Sequence, residues 1–574
     1  LRRDPEALAR GRYDLIVVGG GIFGACAAWD AVNRGLTVAL VERADFAAGA
    51  SANSFRIVHG GIRYLQHGDL ARIRASCRER RALLRVAPHL VVPLPIVIPT
   101  YGRGKDGKGV LRAGMTVYDL LTWDRNRGLT VPGRAIPRNR GLSRAEVLAR
   151  YPGIEAQGLT GGAMFSDAQM YNPTRLVWSF LRAAVERGAR AANYLEARSV
   201  LVRGGRAAGV AVRDVLTGRE FEVEGRAVLL AAGAWTEALA ATAGQEGAPP
   251  PRTFSRDLCF VVDRRPARAP ALAVRTRTRD PDAIFSRSGR HLFIVPWRDC
   301  TLVGVWHKVY TGAPDALGVS AGELGPLLAE VNAAYPGLRL KPGEIARLNF
   351  GLVPFGENEA GAENLRYGKR SSLIDYGRRG GARGVIGLIG VRYTMARGDA
   401  AAAIDAVTRW LGRSGARADT ACLPVWGGDF GSFEALCAEV HTQLGGQADA
   451  AAAAALAHNH GAAAGRVLDC AAGARDLLRP LTGSTVLGAE VVHAVREEMA
   501  VRLADVVFRR TDLGTGRPPP DAALEQCAAL AAREAGWDAE RSRAELAEVR
   551  ALVRPPAAVA ELAGNFASRN GGER

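Results

Sequence analysis

Two stretches of this chain carry the residues best suited to chemistry. In the first, Gly19, Gly20, Gly21 and Gly24 follow the apolar run Leu15–Val18 and precede a small-residue segment ending near Asn33. A glycine at 19 permits a tight turn, one at 21 lets a pyrophosphate reach the backbone, and one at 24 lets a helix pack close to a strand. A helix starting there aims unpaired N–H groups and its positive dipole end at phosphates. Glu42 closes the next apolar run, Leu36–Val41. A carboxylate at that spacing accepts hydrogen bonds from ribose hydroxyls and repels a 2′-phosphate. Glycine spacing alone is weak, but strand, turn, helix, strand and acid together predict a dinucleotide site.

The second stretch is His59-Gly60-Gly61-Ile62-Arg63-Tyr64-Leu65. Paired glycines allow close backbone approach to a ligand, and His59, Arg63 and Tyr64 bring together a titratable ring, a fixed cation and a phenol. The same spacing fits a capped helix start with a buried, hydrogen-bonded histidine. Further along, Ala227–Trp235 reads as a buried strand ending in small residues around Gly233. Gly384–Thr394 repeats the opening logic, with Gly390 ahead of a helix over about 394–411.

The elements that must position these residues follow from pattern. Short apolar strands alternate with helices over the amino-terminal half, for example a helix over 173–187. From Arg252 to Tyr310 the pattern turns to short alternating strands, which predicts a separate antiparallel sheet. Beyond Pro424 the chain is alanine-rich and helical, with an N-cap at Asp449 and an amphipathic stretch over 489–510. Val110–Trp123 reads as a helix. Gly68–Ala87 reads as an arginine-rich helix whose charge fits a solvated face or a lipid surface.

At 574 residues and 48% apolar content, the chain is long enough for two or three domains. A net charge of +18 favours an anionic substrate or lipid head groups. Nucleic acid is not expected, because no basic run is interleaved with aromatics. The eight cysteines lack C-x-x-C spacing, so neither a disulfide framework nor a metal site is predicted, and a reducing cytosol is. No run is long enough to span a bilayer, and the amino terminus lacks a secretory apolar region.

Taken together, these pieces resemble the FAD-dependent glycerol-3-phosphate dehydrogenases and their oxidase relatives. The carrying segments are Asp14–Gly24, His59–Leu65, Ile294-Val295-Pro296-Trp297, Val486–Glu490, Val495–Ala500 and Phe508–Gly514. The resemblance implies an α/β fold: a Rossmann-like FAD-binding domain with an antiparallel-sheet substrate domain and a C-terminal helical domain. The FAD-binding parts are placed at 12–100, 151–250 and 384–415. A substrate-domain insertion is placed at 101–150, the antiparallel sheet at 251–383 and the helical domain at 421–555. It implies FAD held by Gly19, Gly21, Gly24 and Glu42, with Ser54, His59, Gly60, Gly61, Val200, Gly233, Gly390 and Thr394 also against the cofactor.

The implied reaction is hydride transfer from C2 of glycerol 3-phosphate to flavin N5, with electrons passed to a membrane quinone, or to oxygen in the oxidases. Arg63, Tyr64, His307 and Arg392 are the expected catalytic set, Arg392 standing where the family has lysine. A peripheral position on the cytoplasmic face of an anionic membrane is expected, and an oligomer is compatible with it.

The pocket departs from that family. Gly351-Leu352-Val353-Pro354 replaces G-V-R-P, so Val353 stands for a phosphate-binding arginine; a second arginine matches Ile374, and a histidine matches Cys259. Gly304-Val305-Trp306-His307 replaces G-T-T-D. Each charge-assisted bond to phosphate is worth about 1.5–3 kcal/mol, so the loss weakens phosphate binding by orders of magnitude unless other cations substitute. Arg256, Arg287, Arg290 and Lys308 are candidates. His307 has the chemistry to accept a proton, although a structural, hydrogen-bonded histidine is the stronger single reading there. The readings are therefore glycerol 3-phosphate, another alcohol or polyol or sugar phosphate, or a flavin-binding protein without catalysis.

Overall fold

The computed structural model describes residues 1–102, 107–244, 254–265, 269–279, 289–354, 371–413, 415 and 417–571. Its amino-terminal half is built on a six-stranded sheet in the order Ser372–Asp375, Val385–Ile389, Val228–Leu230, Leu15–Val18, Val38–Val41, Arg190–Ala192. All neighbours are parallel except the first pair. Leu15–Val18, Val38–Val41 and Val385–Ile389 are buried at every position, because layers cover both faces of the sheet.

One layer is helical: Ile22–Asn33, Pro173–Glu186 and Ala396–Trp410 pack around Trp29, Trp178 and Phe180. The other is a small sheet of Arg12–Tyr13, Glu220–Gly225, Arg206–Asp214 and Leu195–Arg203. The alanines of Ile22–Asn33 allow its close contact with the neighbouring helices.

The second large sheet runs Ile345–Pro354, Phe254–Val262, Cys300–Tyr310, Gly289–Trp297, Ala271–Arg279, Val91–Tyr101, Leu159–Met170, Ile57–Val58, with Arg140–Ser143 paired to Leu159–Met170. It takes strands from segments assigned above to other domains: Ile57–Val58 and all but the last residue of Val91–Tyr101 lie within 12–100, and Leu159–Met170 within 151–250. Conversely Ser372–Asp375, inside 251–383, joins the six-stranded sheet. The domains interleave more finely than contiguous boundaries allow.

The carboxy-terminal helices, from Phe433–Gln443 to Ala539–Val553, form their own two cores. The amphipathic stretch over 489–510 is not one helix. Gly488–Glu497 ends at Glu498, Met499 takes a left-handed φ of 54°, and a wide turn covers Val506–Arg510. The break aims buried groups at the first domain. Arg175 meets Glu498 through bonds of 2.5 and 2.9 Å, and Arg510 meets Asp45 through two bonds of 2.7 Å. Removing one member of such a pair leaves a buried charge and costs about 3–5 kcal/mol. Asp45 lies three residues past Glu42, so the helical domain fixes the loop behind the candidate site.

Candidate active site

Each glycine of the first motif has a distinct geometric reason. Gly19 has φ 112°, and a Cβ there would lie 2.5 Å from the Ala231 carbonyl oxygen. A Cβ on Gly24 would lie 1.9 Å from the Gly19 carbonyl oxygen, so the helix touches the strand at that point. Gly21 caps Ile22–Asn33, whose first N–H donates to Ser51 Oγ at 3.0 Å. The Glu42 carboxylate accepts from the Gly20 N–H at 2.6 Å and the Ala44 N–H at 2.8 Å. Burial pushes its pKa up, and those two donors pull it back.

A cavity of about 1150 Å³ opens from this cradle. It exceeds the roughly 300–1,000 Å³ of ordinary ligand pockets, leaving room for a dinucleotide and a substrate together. Gly19, Gly21, Glu42, Ser54, His59, Gly61, Gly233, Gly390 and Thr394 line it, as do Tyr64, His307 and Arg392. Three expected cofactor residues do not. Gly24 is a packing position. Gly60 turns away, since a Cβ there would strike Arg80 and the Tyr118 hydroxyl. Val200 is a core residue whose N–H donates to Thr242 Oγ1; Leu195–Arg198, earlier on the same strand, meet the cavity instead. The Arg63 side chain, the Arg290 side chain and Arg287 lie outside the described residues.

Around His59 the structure builds a network. Its N–H donates to Thr394 Oγ1 at 3.1 Å, and its Nδ1 lies 3.1 Å from Asp167 Oδ2. Asp167 also accepts from the Gly60 N–H and from Arg80, each at 2.6 Å. Burial alone would raise the Asp167 carboxyl; His59, Arg80 and the Gly60 N–H outweigh it and hold it below the usual carboxylate range. Opposite, Arg392 donates to the Tyr64 hydroxyl at 3.1 Å and to Ser76 Oγ at 3.3 Å.

The far wall is one face of the second sheet. Alternation puts Ser255, Asp257 and Cys259 beside Val353, Gly351 and Asn349 of the paired strand, with His307 directly opposite Asp257. His307 Nδ1 lies 2.7 Å from Asp257 Oδ1, which also accepts from Ser255 Oγ at 2.6 Å. A carboxylate only accepts, so His307 donates from Nδ1 and Nε2 is its basic nitrogen. Burial pushes the Cys259 thiol up to about 12, which keeps it a neutral wall residue.

Two proposed substitute cations are committed elsewhere. Arg256 and Lys308 point to the opposite face, and both pair with Glu323. Ile374 is buried in the six-stranded sheet and does not reach the cavity.

Sequence reading missed Ser51, Asp167, Asp257 and Asn349. Strand alternation from Cys259 and Val353 points to Asp257 and Asn349. Asp167 has no local signal, since its partners lie about 90–110 positions away.

The residues fit a bound FAD. Ser54 Oγ is buried without a hydrogen-bond partner and faces this cavity, while the Gly21 turn and Glu42 border the same space. A dinucleotide cradle opening onto a sheet-lined space is the architecture of the FAD-dependent oxidoreductases, and residues 14–382 match that family, described as FAD dependent oxidoreductase. Residues 418–542 match the C-terminal domain of alpha-glycerophosphate oxidase.

The glycerol-3-phosphate dehydrogenase of a Synechocystis species is 31% identical over 522 residues, covering 89% of this chain and 90% of that protein. The aerobic glycerol-3-phosphate dehydrogenase of Bacillus subtilis is 28% identical, covering 87% of each. In fold, the chain is similar to the Bacillus halodurans glycerol-3-phosphate dehydrogenase solved with FAD, at a TM-score of 0.71, 22% identity and 95% coverage of each chain. The chain belongs to the FAD-dependent glycerol-3-phosphate dehydrogenase family, and FAD is its cofactor.

Proposed function

We propose that this enzyme oxidises the secondary alcohol of a small phosphorylated substrate of the glycerol 3-phosphate type. The observation that carries this reading is the Asp257–His307 pair facing the cavity that the FAD cradle opens into. FAD, when bound, supplies the hydride acceptor. His307 Nε2 takes the hydroxyl proton, and Asp257 fixes the tautomer and stabilises the resulting imidazolium. Arg392, held by Tyr64 and Ser76, places a fixed positive charge beside the reacting oxygen. The enclosing sheet face limits water around these groups.

Val353 and the buried Ile374 favour a second reading, in which the alcohol is a different polyol or sugar phosphate. Anaerobic bleaching of the flavin by a substrate panel separates the readings. Rapid bleaching by glycerol 3-phosphate supports the first, bleaching only by another alcohol supports the second, and none at all leaves a flavin-binding protein without catalysis.

A membrane quinone is the proposed electron acceptor. Val110, Val117 and Leu120 on the Lys108–Leu121 helix, with Trp123 and Leu70, expose an apolar face, and Arg112 on that helix is also exposed. Such a face suits a lipid interface. No helix among the described residues is long and apolar enough to cross a membrane. A position on the cytoplasmic side is part of this proposal, supported by the eight unpaired thiols.

A further inference from the structure

Arg56 has a buried charge without a carboxylate partner among the described residues, and it lines the catalytic cavity. Its side chain is 2% exposed and lies over the Trp297 ring, 3.7 Å from the centroid. Arg80, Arg125, Arg175, Arg182, Arg256 and Arg510, which with Arg134 are the other buried arginines among the described residues, each face a carboxylate. Arg134 lies away from the cavity, stacked on Phe433.

Among the described residues Arg56 meets only neutral oxygens. Its Nη2 donates to the Thr515 carbonyl at 3.4 Å, and the Asn349 carboxamide, oriented by its hydrogen bonds, turns its oxygen to both Nη atoms at 3.1 Å. Its Nε is buried without a partner. A buried guanidinium left uncompensated is costly, and the missing counter-charge belongs where the cavity meets it.

The position matters. Arg56 meets the sheet face at Asn349, whereas the family arginine replaced by Val353 lies four residues along the same strand, about 13 Å away at about 3.3 Å per residue. At the Val353 end the paired residue is the uncharged Ser255, with Asp257 midway along the stretch opposite Gly351, while Arg256 and Lys308 point away from the face.

We propose that Arg56 with Asn349 forms the anion subsite of this enzyme, so that the phosphate or carboxylate of the substrate binds at the Asn349 end of the sheet face rather than the Val353 end. This rests on the reading above that the substrate is an anionic alcohol. Small Cys259 and Gly351 leave the face open between the subsite and the Asp257–His307 pair. A substrate spanning the two presents its hydroxyl to His307 and its anion to Arg56.

The test uses FAD-loaded enzyme. Inorganic phosphate, acetate and glycerol 3-phosphate are titrated anaerobically while the flavin absorption spectrum is followed, in wild type and in Arg56→Gln, Arg56→Lys, Cys259→Asp and Val353→Arg. The proposal expects phosphate or acetate to bind the wild type, and the ranking of the two identifies the substrate anion. Arg56→Gln weakens that binding about ten- to a hundredfold, and Arg56→Lys restores part of it.

Cys259→Asp supplies an internal counter-charge beside Arg56, so it abolishes anion binding while keeping the flavin bound. That variant decides the matter should Arg56→Gln fail to fold. Unchanged anion affinity in both Arg56→Gln and Cys259→Asp, or a tenfold gain from Val353→Arg alone, overturns the proposal. Glycerol 3-phosphate bleaching with a KM indifferent to Arg56 overturns the subsite and leaves the reaction standing. Arg56-dependent phosphate binding without any bleaching by glycerol 3-phosphate supports the subsite and removes that substrate.

Discussion

His307 and Asp257 occupy directly opposed positions of two antiparallel strands, with imidazole Nδ1 and carboxylate Oδ1 2.7 Å apart. The pairing fixes which nitrogen is basic and holds a negative charge where a protonated imidazole would form. Asp257→Asn keeps the shape and removes that charge. We expect kcat to fall about tenfold to a hundredfold with flavin content unchanged, and His307→Gln to lose about 10²–10⁴-fold. Anaerobic stopped-flow bleaching measures both. Equal rates in wild type and His307→Gln would exclude this histidine as the base.

Gly24→Ala tests the cradle. Its new Cβ would meet the Gly19 carbonyl oxygen at 1.9 Å, so helix and turn must separate and the N–H groups lose their aim. The purified variant is expected to be colourless or to carry only a small fraction of wild-type FAD by absorbance. Gly35→Ala is the control: it has φ 74° but open space around it, so it costs some stability and keeps the flavin.

Much of this architecture was legible because it is local. The first βαβ unit declares itself within about thirty residues, since turn, helix dipole and terminal acid must be adjacent in sequence to act together. The far wall was legible only in part. Asp257 and His307 are fifty positions apart and meet through strand register, which alternation suggests but does not fix. Val200 was misplaced for a related reason: the strand Leu195–Arg203 touches the cavity only at its start, and a two-residue advance moves a side chain into the core. Arg56 carries no signal of its own in the sequence, because a missing partner is visible only in three dimensions.

The apolar face near Trp123 gives a separable prediction. Trp123 is 73% exposed and Leu120 69%, an orientation costly in water and favourable at a lipid interface. The double substitution Leu120→Ser, Trp123→Ser should strongly reduce co-sedimentation with anionic phospholipid vesicles and slow turnover with a membrane quinone. Flavin bleaching by substrate should not change. Full vesicle binding by the double variant would move the membrane contact elsewhere.

The boundary with the helical domain carries a pH signature of its own. Glu490 is 2% exposed, and burial pushes its carboxyl up to about 8 against an ordinary 4.5; the Leu487 N–H on Oε2 offsets only part, and Oε1 has His460 Nε2 no nearer than 3.6 Å. Its neighbours supply no compensating positive charge at hydrogen-bond distance among the described residues. Arg175 donates to His460 Nδ1 at 3.1 Å, and burial holds His460 neutral by driving its pKa well below the ordinary value. Arg175 is itself committed to Glu498. Between about pH 4.5 and 8 the folded chain therefore keeps a proton on Glu490 that the unfolded chain has released, so this group makes stability fall as pH rises. Gln mimics the protonated form and keeps the acceptor for Leu487. Glu490→Gln should leave the melting temperature nearly unchanged near pH 4, raise it modestly at pH 6 and raise it by more at pH 9, measured by calorimetry on the FAD-loaded enzyme. A gain at pH 6 that vanishes at pH 9 would reverse the sign and show that the ionised carboxylate is the form the fold prefers.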